Sequence, residues 1–82
     1  MAGASRGAHA SAIAVSTAPD IGLLVRSVRK ERKLAQQELA DHAGVGRRFL
    51  SELENGKPTL EIGKVLAVLA TCGIELMAHR RR

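Results

Sequence analysis

The sequence predicts an all-α fold of about four helices, followed by one short strand. Four stretches carry apolar residues at helical spacing, and Gly44, Asn55-Gly56 and Gly73 supply stop signals. The 82 residues include one Phe and no Trp or Tyr. A core made of Leu, Val, Ile and Ala suits a small helical bundle and argues against a β-sandwich. The length allows one domain. So short a chain buries a limited core, and its stability is expected to lean on oligomerisation.

Residues 1–19 are Ala, Ser, Gly and little else. They lack the apolar surface to offset ordering entropy, so a disordered arm is expected. Arg6 and His9 can brush a phosphate, but a passive tail is the simpler reading. The domain is expected over residues 20–73. Asp20 is placed as an N-cap after Pro19, opening a helix from Ile21 to about Lys33. Its stripe is Ile21, Leu24, Val25 and Val28. Arg26, Arg29, Lys30, Arg32 and Lys33 occupy its other face and end, with Glu31 the one acid among them. A solvated face with cations at the negative helix end accounts for this pattern. Leu34 closes the segment as a core anchor.

A second helix is expected over Gln36–Ala43, with Leu39, Ala40 and Ala43 inward. Ala40 is small enough for another helix to cross there. Gly44 provides a left-handed stop and Val45 plugs the turn. The third helix runs from about Arg47 to Glu54. Leu50 and Leu53 point back at the second helix. Arg47, Arg48, Ser51, Glu52 and Asn55 share the opposite face, which has no hydrophobic residue. The major groove admits one α-helix, and Arg can make two hydrogen bonds to guanine. The pattern also suits a solvated face on an ordinary helical hairpin. Phe49 fits two settings: packing with Leu53, or lying along a groove against a sugar or thymine methyl.

Gly56–Thr59 is a loop, with Thr59 expected to cap a fourth helix and Glu61 near its start. Ile62, Val65, Leu66 and Leu69 form the expected stripe, with Val68 outside it. Gly63 has no explanation in the pattern. Gly73 stops the helix. In residues 74–82, Ile74, Leu76 and Ala78 alternate with Glu75, Met77 and His79, a strand pattern. A lone strand leaves its edges unpaired. Antiparallel pairing with the same strand of a second copy is the simplest solution, and makes Ile74, Leu76 and Ala78 dimer-interface residues. Arg80–Arg82 form a basic end.

Lys and Arg number 13 against 8 Asp and Glu, a net charge of +5. This favours a polyanionic partner. The near absence of aromatics weighs against RNA and single-strand readers. Cys72 stands alone, so no intrachain disulfide forms, and it suits a small core position in a cytoplasmic protein. No apolar run approaches the ~20 residues of a membrane span. Ser11, Ser16 and Thr17 interrupt the N-terminal apolar patches, so no secretory signal is expected. His9, His42 and His79 show no ligand spacing, and no metal or cofactor is implied. No Ser or Cys nucleophile has a placed His, no Gly loop cradles phosphate, and no carboxylates cluster. An enzyme is not expected.

Gln36, Glu38-Leu39-Ala40, Gly44, Leu50, Leu53 and Glu54–Lys57 together resemble the helix-turn-helix of the Xre/Cro/phage-repressor family. The resemblance spans about Ile21 to Gly73. Two positions depart from it. Ala35 and Gly46 sit where that family usually carries a Thr, Asn or Ser cap, and each missing cap costs up to ~1 kcal/mol. The resemblance implies a lambda-repressor-like bundle bound to a double-stranded DNA operator. It implies base reading by Arg47, Arg48, Ser51 and Glu52. It places Asn55, Lys57, Gln36, Arg29 and Lys30 near the backbone, with Gln36 also bracing the recognition helix. Gly46–Lys57 is similar to the HipB-type antitoxins, whose trailing strand builds an intersubunit sheet. That likeness implies a homodimeric, autoregulating repressor at the nucleoid, with a kinase-like toxin as a second partner. A stand-alone repressor with no toxin partner is the alternative.

Overall fold

The computed structural model describes residues 12–81. Its helices are α1 (Ala18–Glu31), α2 (Gln36–Ala43), α3 (Arg47–Glu54) and α4 (Ile62–Thr71). α1 begins earlier than expected, because Thr17 is its N-cap and not Asp20. Thr17 Oγ1 accepts from the Asp20 N–H at 3.3 Å. In return the Asp20 carboxylate accepts from the N–H groups of Ser16 and Thr17, at 2.9 and 3.1 Å. This is a reciprocal capping box, with Pro19 in the first turn where its missing N–H costs nothing. The bonds from the Ser16 and Thr17 backbone hold the Asp20 carboxyl below its usual range. The domain therefore starts inside the segment expected as arm. Residues 1–11 of that arm, with Arg6 and His9, lie outside the described residues.

α1 ends through Lys33 in the left-handed region, φ 59°. The Leu34 N–H then donates to the Arg29 carbonyl at 3.1 Å, which turns Leu34 onto the core. α2 ends as expected, with Gly44 at φ 73°. Ala35 gives α2 no side-chain cap. Glu38 supplies half of a capping box by accepting from the Ala35 N–H at 2.8 Å.

Val25, Leu39, Leu50, Val68 and Leu69 fill the centre of the core. α3 packs on α1 and α2, and α4 packs on α2. The crossing of α1 and α3 is set by Gly22, a buried residue. A Cβ there would collide with the Leu53 and Glu54 carbonyl oxygens, the latter at 2.8 Å. Phe49 takes the first of its two settings and packs against the core, with the Lys64 ammonium 5.9 Å from its ring centre.

α4 departs from expectation in two ways. Its N-cap is Glu61, without a side-chain bond, so Thr59 caps nothing. Its inward stripe is Val65, Val68, Leu69 and Cys72, while Ile62 and Leu66 are exposed. The helix is apolar nearly all round, so periodicity alone does not choose its buried face. Cys72 is a core residue whose thiol burial pushes up. Arg32 caps the C-terminal end of α4, donating to the Thr71 and Cys72 carbonyls at 3.2 and 2.9 Å.

Ile74 remains anchored, its N–H donating to Leu69 O at 2.9 Å. No strand is present among the described residues. The expected strand over 74–79 has no ladder to join within one chain, since no other strand is available to pair with it. No helix among the described residues is long and apolar enough to cross a membrane.

Candidate nucleic-acid interface

α3 divides cleanly into two faces. Leu50, Leu53 and Glu54 are buried. Arg47 and Arg48 are exposed, with Ser51 and Glu52 half-buried beside them. Gly46 offers the helix no side-chain cap, so the positive helix end and two arginines coincide. Glu52 organises the outer edge. Its Oε2 stands 3.5 Å from Arg48 Nε and 3.3 Å from Lys57 Nζ. Exposed ion pairs are worth ~0–1 kcal/mol. Arg48 or Lys57 can therefore leave Glu52 for a base or phosphate at little cost.

The loop after α3 is held rigidly. The Asn55 and Lys57 N–H groups donate to the Ser51 and Glu52 carbonyls, each at 3.0 Å. Gly56 has φ 83°, and a Cβ on it would lie 2.9 Å from Pro19 Cγ. Only Gly fits both the backbone and the contact. The turn that carries Lys57 is thus seated on the start of α1.

The tilt of α3 is fixed by a buried polar brace. Glu54, the last residue of α3, accepts from Arg29 Nε at 2.6 Å and Nη2 at 2.9 Å. Gln36 Nε2 donates to the same carboxylate at 3.1 Å. Arg29 Nη1 also donates to Leu34 O at 2.8 Å. One carboxylate thus joins α1, α2 and α3. Burial pushes the Glu54 carboxyl up, but hydrogen bonds from Arg29 and Gln36 outweigh it and hold the carboxyl below its usual range. The Glu54 bond in turn pushes Arg29 up.

A helix-turn-helix family model matches residues 25–77, more than half of the chain. The chain belongs to the Xre-type helix-turn-helix family of transcriptional regulators. It is 57% identical over 70 residues to the protein named "Uncharacterized HTH-type transcriptional regulator y4mF" of Sinorhizobium fredii (strain NBRC 101917 / NGR234), covering 83% of this chain and 92% of that one. It is 33% identical over 58 residues to the immunity repressor protein of Bacillus phage phi105, covering 71% of this chain and 40% of that one. Among solved structures, the HipB-O4 20mer complex superposes with a TM-score of 0.76 at 15% identity, covering 87% of this chain and 100% of that one. A HipA-HipB-O2-O3 complex gives the same values. At that identity the likeness is one of fold.

In this helix-turn-helix chain the expected site residues fall into three groups. Arg47, Arg48, Ser51 and Glu52 share the outer face of α3, with Asn55 and Lys57 beside its end. Gln36 braces α3 from the start of α2, and Lys30 is exposed on α1. Arg29 is the correction. Its side chain is 12% exposed and committed to Glu54 and Leu34, so it braces α3 and is not the free surface cation expected. Ile74 is half-buried, while Leu76 and Ala78 are exposed. Glu54 is the functional residue that sequence reasoning missed. The signal was present: Glu54 lies four residues from Leu50, on the inner face, where a carboxylate demands a cationic partner.

Proposed function

We propose that the chain is a sequence-specific repressor that binds double-stranded operator DNA as a homodimer, and that it is the antitoxin of a type II toxin–antitoxin pair. The observation that carries DNA binding is the outer face of α3. Arg48 and Lys57 flank Glu52 and Arg47 is exposed beside Arg48, on a helix whose inner face supports the core. Arg47, Arg48, Ser51 and Glu52 are assigned to base edges. Lys57, Asn55, Gln36 and Lys30 are assigned to the phosphate backbone. Ile74, Leu76 and Ala78 are assigned to tail-to-tail dimerisation, which places two recognition helices on one operator. Such a repressor works at the nucleoid, in the cytoplasm.

The antitoxin reading draws support from the fold shared with HipB in a complex that also contains HipA. It predicts a kinase-like toxin as the protein partner. The likeness to a phage immunity repressor favours a second reading, a stand-alone repressor. One experiment separates them. Duplex DNA from upstream of the chain's own gene is tested by gel shift, alone and with the neighbouring gene product. Retardation by the chain, supershifted by the neighbour, supports the antitoxin reading. Retardation with no neighbour binding favours the stand-alone repressor. Failure to retard any duplex selected from random sequence removes both.

A further inference from the structure

An open apolar groove of about 950 Å³ lies between the segment before α1 and the segment after α4. Ile13 and Val15 line it from the segment before α1, Ile74, Leu76 and Met77 from the segment after α4, and Ile21 and Leu24 from α1. Ile13, Leu76 and Met77 are 66%, 45% and 58% exposed. Among the described residues, Ala12–Val15 and Glu75–Arg81 take part in no backbone hydrogen bond. Two segments with apolar side chains therefore line one groove without a backbone hydrogen bond between them.

We infer that the C-terminal segment of a second copy fills this groove, and that Ile13 and Val15 belong to the dimer interface as part of an edge strand. This rests on the dimer reading above and extends it to the N-terminal segment. Three observations favour this occupant. The first is size. A strand in a packed sheet spans ~4.8 Å sideways, ~10 Å between layers and ~3.4 Å per residue, on the order of 160 Å³ per residue. The groove thus accommodates a six-residue strand, and Ile74–His79 is such a segment. The second is charge. Glu75 is the one acid in Ile74–Arg81. Antiparallel self-pairing centred on Met77 or on Ala78 sets Glu75 of each copy opposite His79 or Arg81 of the other, respectively. The third is symmetry. A two-fold axis between the paired C-terminal segments lays each of them against the other copy's Ala12–Val15. The result is a two-fold symmetric order of four strands: N-terminal, partner's C-terminal, C-terminal, partner's N-terminal. The segment before α1 is then a structural strand in the dimer and not a passive arm.

The test uses the full chain in sedimentation equilibrium, comparing the natural sequence with Leu76→Glu and with the double substitution Ile13→Glu and Val15→Glu. All three substituted residues lie outside the helices, and an unchanged helical circular-dichroism signal verifies the bundle. A natural-sequence dimer, monomeric Leu76→Glu and a double variant at least tenfold weaker in dimerisation support the inference. A natural-sequence monomer, or an intact Leu76→Glu dimer, overturns the tail-to-tail reading itself. A monomeric Leu76→Glu alongside a double variant weakened less than tenfold overturns the role of Ile13 and Val15 alone. Protection of the Ile13 and Val15 amides from hydrogen exchange in the dimer gives a second readout, and fast exchange at both likewise counts against it.

Discussion

Replacing Glu54 with Ala should remove a large share of the stability of the domain. The substitution strands the Arg29 guanidinium, whose side chain is 12% exposed, and leaves the Gln36 amide without its acceptor. Removing one partner of a buried pair costs ~3–5 kcal/mol. Arg29 keeps its bond to Leu34 O, so the low end applies, ~3 kcal/mol. Small domains have only ~0.05–0.15 kcal/mol per residue in total. The double substitution Arg29→Met, Glu54→Leu leaves no orphaned charge and should cost far less than the two single changes to Ala together. Urea unfolding followed by circular dichroism, at one protein concentration, measures all of these as shifts in midpoint. A loss below 1 kcal/mol for Glu54→Ala, or simple additivity in the double variant, would refute the brace. The same pair sets a pH dependence. The folded-state Glu54 pKa is depressed below its ordinary 4.5. Its contribution is therefore present above the unfolded-state pKa and is lost as pH falls through the lower folded value. Glu54→Gln should flatten that acid decline.

Other expected outcomes follow from single residues. Gly22→Ala should destabilise by ~1–3 kcal/mol, because its Cβ meets backbone carbonyls that cannot move cheaply; thermal unfolding reads it. Gly63→Ala, in open space at an exposed position of α4, should stabilise by ~0.5–1 kcal/mol, and a decrease instead would mean that this surface is covered. Ala35→Ser should restore an N-cap to α2, with a gain of ~0.5–1 kcal/mol in the same assay. Arg47→Ala with Arg48→Ala should abolish operator retardation and leave capture of a toxin partner intact, since both side chains point away from the core; loss of both activities in a folded variant would place the two surfaces together.

The helix pair was legible because its signals are local. Leu39, Ala40, Leu50 and Leu53 have helical spacing, and Gly44 has one dominant reason to be there. The start of α1 was misplaced because Asp20 works equally well as an N-cap and as the third residue of a capping box; Thr17, three residues earlier, decides between them. The buried face of α4 was not legible, since Ile62, Val65, Leu66, Val68 and Leu69 allow more than one stripe. Arg29 reads as a surface cation in the sequence because its partner, Glu54, lies 25 residues away. Such pairing depends on how α1 crosses α3, which Gly22 sets. Phe49 stayed open for the same reason: its neighbour Lys64 comes from another helix. The groove beside Ile13 arises from two ends of the chain meeting, which no local pattern records.

The central claim is that α3 reads bases while its flanking loop holds the backbone. It is tested most directly by titrating the chain, Arg48→Ala and Lys57→Ala against an operator recovered from random duplex DNA and its single-base variants, at several salt concentrations. Arg48→Ala should cost ~1–3 kcal/mol on the operator and relax preference at one base pair per half-site. Lys57→Ala should weaken all duplexes about equally and lower the salt slope by about one for each phosphate it no longer neutralises. A uniform weakening for Arg48→Ala with base preference intact would contradict the assignment of α3 as the reading element.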